Sequence, residues 1–134
     1  MGFFYIGAKT NNYKNGYMKI GETNQKYLSS RIAQIRKNQG NFVVLAYLEI
    51  PNSSTATTRA VESYVRFKLE QHGYEMIQND HFVFPISAET KDAQFARFTA
   101  LAISAACHFC EMEHIAYQVK TDKANLKHNV KAKK

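Results

Sequence analysis

Hydrophobic positions along the chain follow two different spacings. In four short segments they alternate or run together, as in β-strands, and in three longer segments they recur every three or four residues, as in helices. The strand segments are residues 2–8, 17–20, 42–50 and 81–84, and the helical segments are residues 27–37, 57–72 and 91–116. Asn15-Gly16, between the first two strands, is typical of a hairpin turn. The pattern predicts an α+β fold with a small, mainly antiparallel sheet (β-hairpin, central strand, short edge strand), flanking helices and a long C-terminal helix.

Three segments carry further information about position in the fold. Residues 42–50 are almost continuously apolar, which predicts the central and most buried strand. Residues 74–80 lack a clear period and predict an irregular connection, while Pro85 predicts that the strand at residues 81–84 lies at a sheet edge. After Tyr117 apolar residues become sparse and lysines frequent. We therefore expect a flexible tail or a loosely helical arm there.

The strand at residues 17–20 presents different chemistry on its two faces. Because side chains alternate along a strand, Met18 and Ile20 share one face and are expected in the core. Tyr17 and Lys19 share the other face, which we expect to meet a helix or to stay open. This strand and the helix after it therefore form an arrangement suited to building a site.

Arg31 lies one step beside the apolar stripe of the helix predicted at residues 27–37. That stripe consists of Leu28, Ile32 and Ile35. An Arg at such a border can bury its aliphatic stem and still present its planar guanidinium to a phosphate. The alternative is a surface Arg that simply lies next to a helix core.

Glu62 has a comparable border position on the helix predicted at residues 57–72. Arg66 follows one turn later, so an ion pair between the two residues is one interpretation. The other interpretation is a carboxylate that faces the same cavity as Lys19 and Arg31, where a hard divalent cation could bind.

Length and composition limit the class of protein. The chain has 134 residues, of which 45% are hydrophobic, and this is enough for one globular domain with a real core. No segment approaches the roughly 18 apolar residues of a membrane span, and the first five residues lack the basic start of a signal peptide. We expect a soluble, cytoplasmic protein with no membrane partner.

Positive charge is concentrated at the two ends of the chain. Residues 1–40 contain seven Lys and Arg against one Glu, residues 41–116 contain five against nine acidic residues, and residues 117–134 contain six Lys against one Asp. If the basic ends meet in space, they form a surface suited to a polyanion, although a Lys-rich terminus can also be a solvated end. The candidate nucleic-acid contacts in the first segment are Lys9, Lys14, Lys26, Arg36 and Lys37.

Cys107 and Cys110 have the C-x-x-C spacing found in zinc and redox sites. They lie inside a long apolar helical segment, whereas a metal site needs more such ligands and a redox motif needs a helix N-terminus. We therefore interpret both cysteines as small, buried core residues.

The order of these features resembles the GIY-YIG nuclease superfamily. The resemblance is carried by the hairpin whose second strand ends in Ile20-Gly21, the following helix with Arg31, the central strand and the helix with Glu62. Residues 19–23, K-I-G-E-T, are most similar to the T5orf172-type branch, where K-I-G-x-T stands in place of Y-I-G. Asp80-His81-Phe82 takes the place of that branch's Glu-Trp-Phe-like element.

The resemblance covers about residues 2–86 and implies a division of the chain. Residues 1–86 would be a GIY-YIG-like catalytic core, residues 87–117 a C-terminal helix packing on that core, and residues 118–134 a Lys-rich tail. The implied activity is a metal-dependent endonuclease that hydrolyses phosphodiester bonds, of DNA more readily than RNA, with Mg²⁺ or Mn²⁺.

Four residues take the catalytic roles that the resemblance implies. Arg31 would stabilise the charge that develops on the phosphate, and Glu62 would be the metal ligand. Tyr5 and Lys19 would complete the set on the strands. Candidate supporting residues are Tyr17, Thr23, Asp80 and His81.

The chain departs from the superfamily at several of these positions. Either Tyr5 or Phe4 corresponds to the first aromatic residue, and we prefer Tyr5 because a Phe cannot transfer a proton. Lys19 stands where the superfamily has its second Tyr, and Ile35 where it has a His. A Lys can act as a base only if burial or nearby cations lower its pKa, and otherwise it binds phosphate as a fixed charge.

Three functions therefore follow as alternatives. The first is the endonuclease, the second is a catalytically weak or inactive nucleic-acid-binding module with salt-dependent phosphate contacts, and the third is an interaction protein. In the third case the apolar face of the long helix would form a homodimer. Its apolar positions are Phe95, Phe98, Leu101, Ala102, Ala105, Phe109, Met112 and Ile115.

Overall fold

The computed structural model describes residues 1–9, 17–40, 42–78, 81–84 and 89–121. These residues form the strands and helices β1 (Gly2–Lys9), β2 (Tyr17–Thr23), α1 (Leu28–Gln39), β3 (Phe42–Ile50), α2 (Thr55–Gln71), β4 (Glu75–Gln78), β5 (His81–Val83), α3 (Lys91–Met112) and β6 (Gln118–Lys120). All strands lie in one antiparallel sheet with the order β4-β5-β2-β1-β3-β6. The predicted α+β fold is confirmed, but the middle of the sheet is formed by β2 and β1, and β3 lies beside the edge strand β6 instead of at the centre.

The two faces of the sheet carry separate hydrophobic clusters. On one face Phe4 and Ile6 of β1 and Met18 and Ile20 of β2 are buried together with residues of α2 and α3. On the other face Tyr5 belongs to a smaller cluster that also contains residues of β3 and α1. The members of this smaller cluster are Phe3, Tyr5, Leu28, Ile32, Ile35, Phe42, Val44 and Tyr47. The alternation predicted for β2 is therefore confirmed for Met18 and Ile20, and α1 lies on the opposite side of the sheet from α2 and α3.

The short strand β4 was not predicted. Residues 74–80 were expected to be irregular, but Glu75–Gln78 forms β4 and pairs with β5. β5 is therefore covered by a neighbour and is not the edge strand that Pro85 suggested. β4 has only four residues, of which Met76 packs against the core, and so short a segment gives too few positions for a period to be recognised.

The end of the long helix and the segment after it also differ from the prediction. α3 ends at Met112, and His114 adopts a left-handed backbone conformation with φ of 57°. Neither Gly nor Pro marks that end, so the sequence lacked the usual stop signal. Gln118–Lys120, expected to begin a flexible or loosely helical tail, instead pairs with β3 as strand β6.

Several helix ends follow from local side-chain chemistry. Ser54 caps α2 by accepting a hydrogen bond from the Thr57 N–H at 3.2 Å, and Thr90 caps α3 by accepting one from Ala93 at 3.1 Å. Gly40 ends α1 with φ of 91°, a left-handed conformation that favours glycine.

The apolar stripe of α3 packs on the molecule's own core. Phe98, Ala102 and Ala105 are buried, and most of the other stripe residues are partly buried against the same cluster, while Met112 is exposed. The stripe therefore does not supply the uncovered face on which the homodimer interpretation depended. None of the helices in the described ranges has the length and hydropathy needed to cross a bilayer.

Several predicted features fall outside the described residues. They are the Asn15-Gly16 turn, Lys14, Asp80, Pro85 and residues 122–134 of the Lys-rich segment. The side chains of Lys9 and Tyr17 are likewise outside that description.

Candidate functional site

The side chain of Tyr5 in β1 packs over Gly21, the glycine of the K-I-G segment in β2. The two residues are cross-strand partners in the β1–β2 register. A Cβ atom added to Gly21 would lie 2.8 Å from Tyr5 Cε1 and closer still to Cζ and the hydroxyl. Only a residue without a side chain fits beneath this ring, so the glycine allows the phenol to extend over β2.

Tyr5 and Lys19 are neighbours on the face of the sheet that carries α1. Lys19 pairs with Gly7, two residues further along β1 from Tyr5, so the two side chains are diagonal neighbours. Phe4, the alternative first aromatic, is buried on the opposite face among α2 and α3 residues. The register therefore favours Tyr5 over Phe4 as the partner of Lys19.

The surroundings of Lys19 are enclosed and partly aromatic. Lys19 is only 4% exposed, and Phe42 fills the space beside Gly7, where an added Cβ would lie 2.7 Å from the ring. Tyr5 and Phe42 meet edge to face with their ring centroids 6.1 Å apart. On the other side Lys19 is the direct cross-strand partner of His81 in β5. An imidazole thus lies beside Lys19 on the same face, whereas Ile35 is buried in the α1 cluster.

Arg31 lies on α1 and is linked to the segment that follows β2. Its Nη1 donates to Gln34 Oε1 at 3.4 Å, and the same oxygen accepts a hydrogen bond from Gln25 Nε2 at 3.0 Å. Gln25 follows directly after β2, where its N–H donates to Thr23 Oγ1 at 3.2 Å. The guanidinium is therefore tied, through two Gln side chains, to the chain segment that leaves the strand bearing Lys19.

The last two residues of the K-I-G-E-T segment have structural roles. Thr23 is buried and holds the turn after β2 through its bond with Gln25. Glu22 lies on the other face, where Thr58 Oγ1 of α2 donates to its Oε1 at 2.6 Å. Arg59 Nε lies 3.9 Å from the second carboxylate oxygen but is 72% exposed, so this ion pair contributes little. The Thr58 bond fixes α2 against the end of β2.

Glu62 belongs to the opposite layer of the molecule from Tyr5, Lys19 and Arg31. It lies on α2, whose buried residues pack on the Phe4 face of the sheet. Glu62 follows Thr58 by one turn, on the flank of α2 that contacts β2 through Glu22. Its carboxylate is 3.6 Å from Arg66 Nη2, and its side chain is 12% exposed, so the predicted ion pair is present. Of the four predicted catalytic residues, Tyr5, Lys19 and Arg31 therefore belong to the α1 side of the sheet. Glu62 lies on the opposite side, on α2, next to β2.

The described residues could bind Mg²⁺ or a similar ion only through a single protein carboxylate. Within the described ranges no three His, Cys, Asp or Glu side chains form a group that could hold a metal. Mg²⁺ nevertheless keeps most of its waters and commonly uses one or two protein carboxylates together with substrate phosphate oxygens. Among the predicted site residues, Glu62 supplies such a carboxylate, and it is already ion-paired with Arg66.

Among the predicted nucleic-acid contacts, Lys26 and Lys37 are exposed. Arg36 is half-buried and its Nε donates to the Phe42 carbonyl at 3.0 Å, while burial lowers the pKa of its guanidinium from the ordinary value. Arg36 therefore holds the start of β3 against α1, a role that sequence reasoning did not identify. The Thr58–Glu22 bond was also missed, since its residues lie far apart in the sequence and carry no local signal.

Comparison with known families and proteins gives one match. The model of the T5orf172 domain matches residues 2–99, and the matched region includes Gly21, Lys19, Arg31 and Glu62. It extends into the first turns of α3, beyond residue 86 where the resemblance was expected to end. No curated protein and no solved structure matches the chain.

Proposed function

Because the chain belongs to the T5orf172 domain family, a GIY-YIG-like family associated with nucleases, we propose that it is a metal-dependent endonuclease that hydrolyses phosphodiester bonds of DNA. The observation that supports this most directly is the arrangement on the α1 side of the sheet. There Tyr5 extends over Gly21, Lys19 lies diagonally beside it, and α1, which packs on this face, carries Arg31.

In the proposed reaction a water oxygen forms a bond to phosphorus while the bond to the leaving sugar oxygen breaks. Negative charge grows on the non-bridging oxygens, and the Arg31 guanidinium is suited to stabilise it because a planar fork matches phosphate geometry. Lys19 holds the phosphate from the sheet side. The Tyr5 hydroxyl, supported over Gly21, orients the attacking water.

Glu62 is the residue that would hold the divalent ion, although its helix α2 lies on the opposite side of the sheet from Tyr5, Lys19 and Arg31. A bound ion would supply positive charge to phosphate oxygens and lower the pKa of a bound water. His81, the cross-strand partner of Lys19, is the side chain that we propose accepts the proton of the attacking water.

The test is cleavage of supercoiled plasmid DNA by the full chain, with Mg²⁺, with Mn²⁺ and with chelator. We expect divalent-dependent nicking by the wild type and its loss in Arg31→Ala and Glu62→Gln, which should retain DNA binding. Arg97→Ala is the control for Arg31 because Arg97 is an exposed arginine paired with Glu89 on the opposite face. Glu70→Gln is the control for Glu62 because Glu70 is an exposed residue of the same helix.

A DNA-binding module without turnover is the second candidate, and two observations favour it. Lys19 occupies the position of a family tyrosine, and Tyr5 is only 1% exposed. If divalent ions give no cleavage while Lys26→Ala and Arg31→Ala weaken salt-dependent DNA binding, this second function replaces the first.

A further inference from the structure

A cavity of about 570 Å³ lies at the N-terminal end of α1, between that helix and the ends of β1 and β3. It falls within the range of small-ligand pockets. The side chains that define its chemistry are Phe3, Lys26, Tyr27, Ser29, Tyr47 and Glu49. Neither Tyr5 nor Lys19 lines it, so it is separate from the proposed catalytic arrangement.

The walls of the cavity are aromatic. Phe3 and Tyr47 form its floor, with ring centroids 6.1 Å apart, and both are less than 10% exposed. Tyr27 also lines the cavity and is 58% exposed, so its ring is accessible to a ligand. Burial, together with the neighbouring Glu49, raises the pKa of the Tyr47 hydroxyl, which therefore stays neutral.

Opposite charges line the cavity from different elements, with Lys26 just before α1 and Glu49 on β3. Lys26 Nζ lies over the Tyr27 ring, 5.4 Å from its centroid, and Ser29 adds a hydroxyl on the same side. Glu49 lies at the β3 side, where its carboxylate repels phosphate but can accept a hydrogen bond from an N–H group. These aromatic and charged groups suit a ligand that has a planar ring with N–H groups and an attached anionic group.

From this geometry we propose that the cavity binds one unstacked nucleobase of a single-stranded segment, with the base against Tyr27 and its phosphate at Lys26. Every nucleobase has an aromatic face for stacking and an N–H group that can donate a hydrogen bond to the Glu49 carboxylate. Arg31 follows Tyr27 by about 6 Å along the helix axis, so the phosphate of a neighbouring nucleotide lies within reach of Arg31. The inference rests on the proposed function in assigning that neighbour as the scissile position, while base binding itself does not depend on cleavage.

The test compares two labelled octamers by fluorescence anisotropy in chelator at fixed salt: oligothymidylate and a fully abasic strand of the same length. We expect wild type to bind the base-containing octamer about 5- to 100-fold more tightly, which is the contribution of one base–aromatic stack. Tyr27→Ala should remove most of this difference and Tyr27→Phe should keep it. Lys26→Ala should weaken both octamers by a similar factor.

Phe67→Ala is the matched control because Phe67 is also an exposed aromatic, at 54% exposure, on α2 behind the sheet. Equal affinities of wild type for the two octamers would overturn the proposal, as would an unchanged preference in Tyr27→Ala. Plasmid cleavage without base preference would leave the endonuclease proposal intact and refute the cavity proposal. Base preference without any plasmid cleavage would support the cavity proposal and refute the endonuclease proposal.

Discussion

Replacement of Gly21 by alanine tests the packing on which the Tyr5–Lys19 arrangement depends. The added methyl group would lie 2.8 Å from Tyr5 Cε1 and nearer to Cζ and the hydroxyl. Gly21 is not among the glycines with positive φ, so backbone strain does not contribute and the whole cost is overlap with the ring. Overpacking of this kind costs about 1–3 kcal/mol, a measurable part of a total stability of roughly 5–15 kcal/mol.

A double-mutant cycle isolates this contact. In a Tyr5→Leu background the ring is absent, so we expect Gly21→Ala to cost less than about 0.5 kcal/mol there, while in Tyr5→Phe, which keeps Cζ and Cε1, the cost persists. Free energies of unfolding come from urea titrations followed by circular dichroism.

Gly40→Ala supplies the control for this cycle. Gly40 has φ of 91° and no atom within 4 Å of an added Cβ, so its cost of about 1–2 kcal/mol arises from the backbone and should not change with Tyr5. If Gly21→Ala costs the same with and without the Tyr5 ring, the explanation of this glycine is wrong.

Two further predictions concern contacts outside the site. Thr58→Val removes the hydroxyl that donates to Glu22 at 2.6 Å and keeps the side-chain shape, so we expect about 1–3 kcal/mol of destabilisation in urea titrations; an unchanged stability would show that the bond contributes nothing. Burial raises the pKa of the Cys110 thiol to about 11, so Cys110 stays protonated at neutral pH. Mass spectrometry after alkylation at pH 7.5 should therefore find Cys110 unmodified in the folded protein and modified after denaturation, whereas rapid labelling of the native protein would contradict this account.

The long elements of the fold were predictable because their periods extend over many residues. α2 and α3 have apolar stripes of several turns, and β3 is nearly continuous in its hydrophobicity. β4 and β6 were missed because three or four residues give no period and because their pairing is decided by neighbouring strands.

The candidate site was predictable only in part. Strand alternation correctly separated Met18 and Ile20, which are buried in the core, from Lys19 on the opposite face. The cross-strand register that places Tyr5 on Gly21 and Lys19 beside His81 depends on tertiary packing and could not be inferred. Helical spacing also placed Glu62 beside the apolar stripe of its helix. Spacing does not indicate against which face of the sheet a helix packs, and α2 lies on the face opposite α1.

The most direct test of the central claim is the single-turnover rate at which the protein cleaves labelled duplex DNA in Mg²⁺ or Mn²⁺, at saturating protein. Loss of a single charge-stabilising donor typically costs about 10²- to 10³-fold in rate. We therefore expect Arg31→Ala to cleave at least about 100-fold more slowly than wild type, with Arg97→Ala within about twofold of wild type. Divalent-dependent cleavage that is equally fast in Arg31→Ala, or the absence of any such cleavage by wild type, would contradict the account.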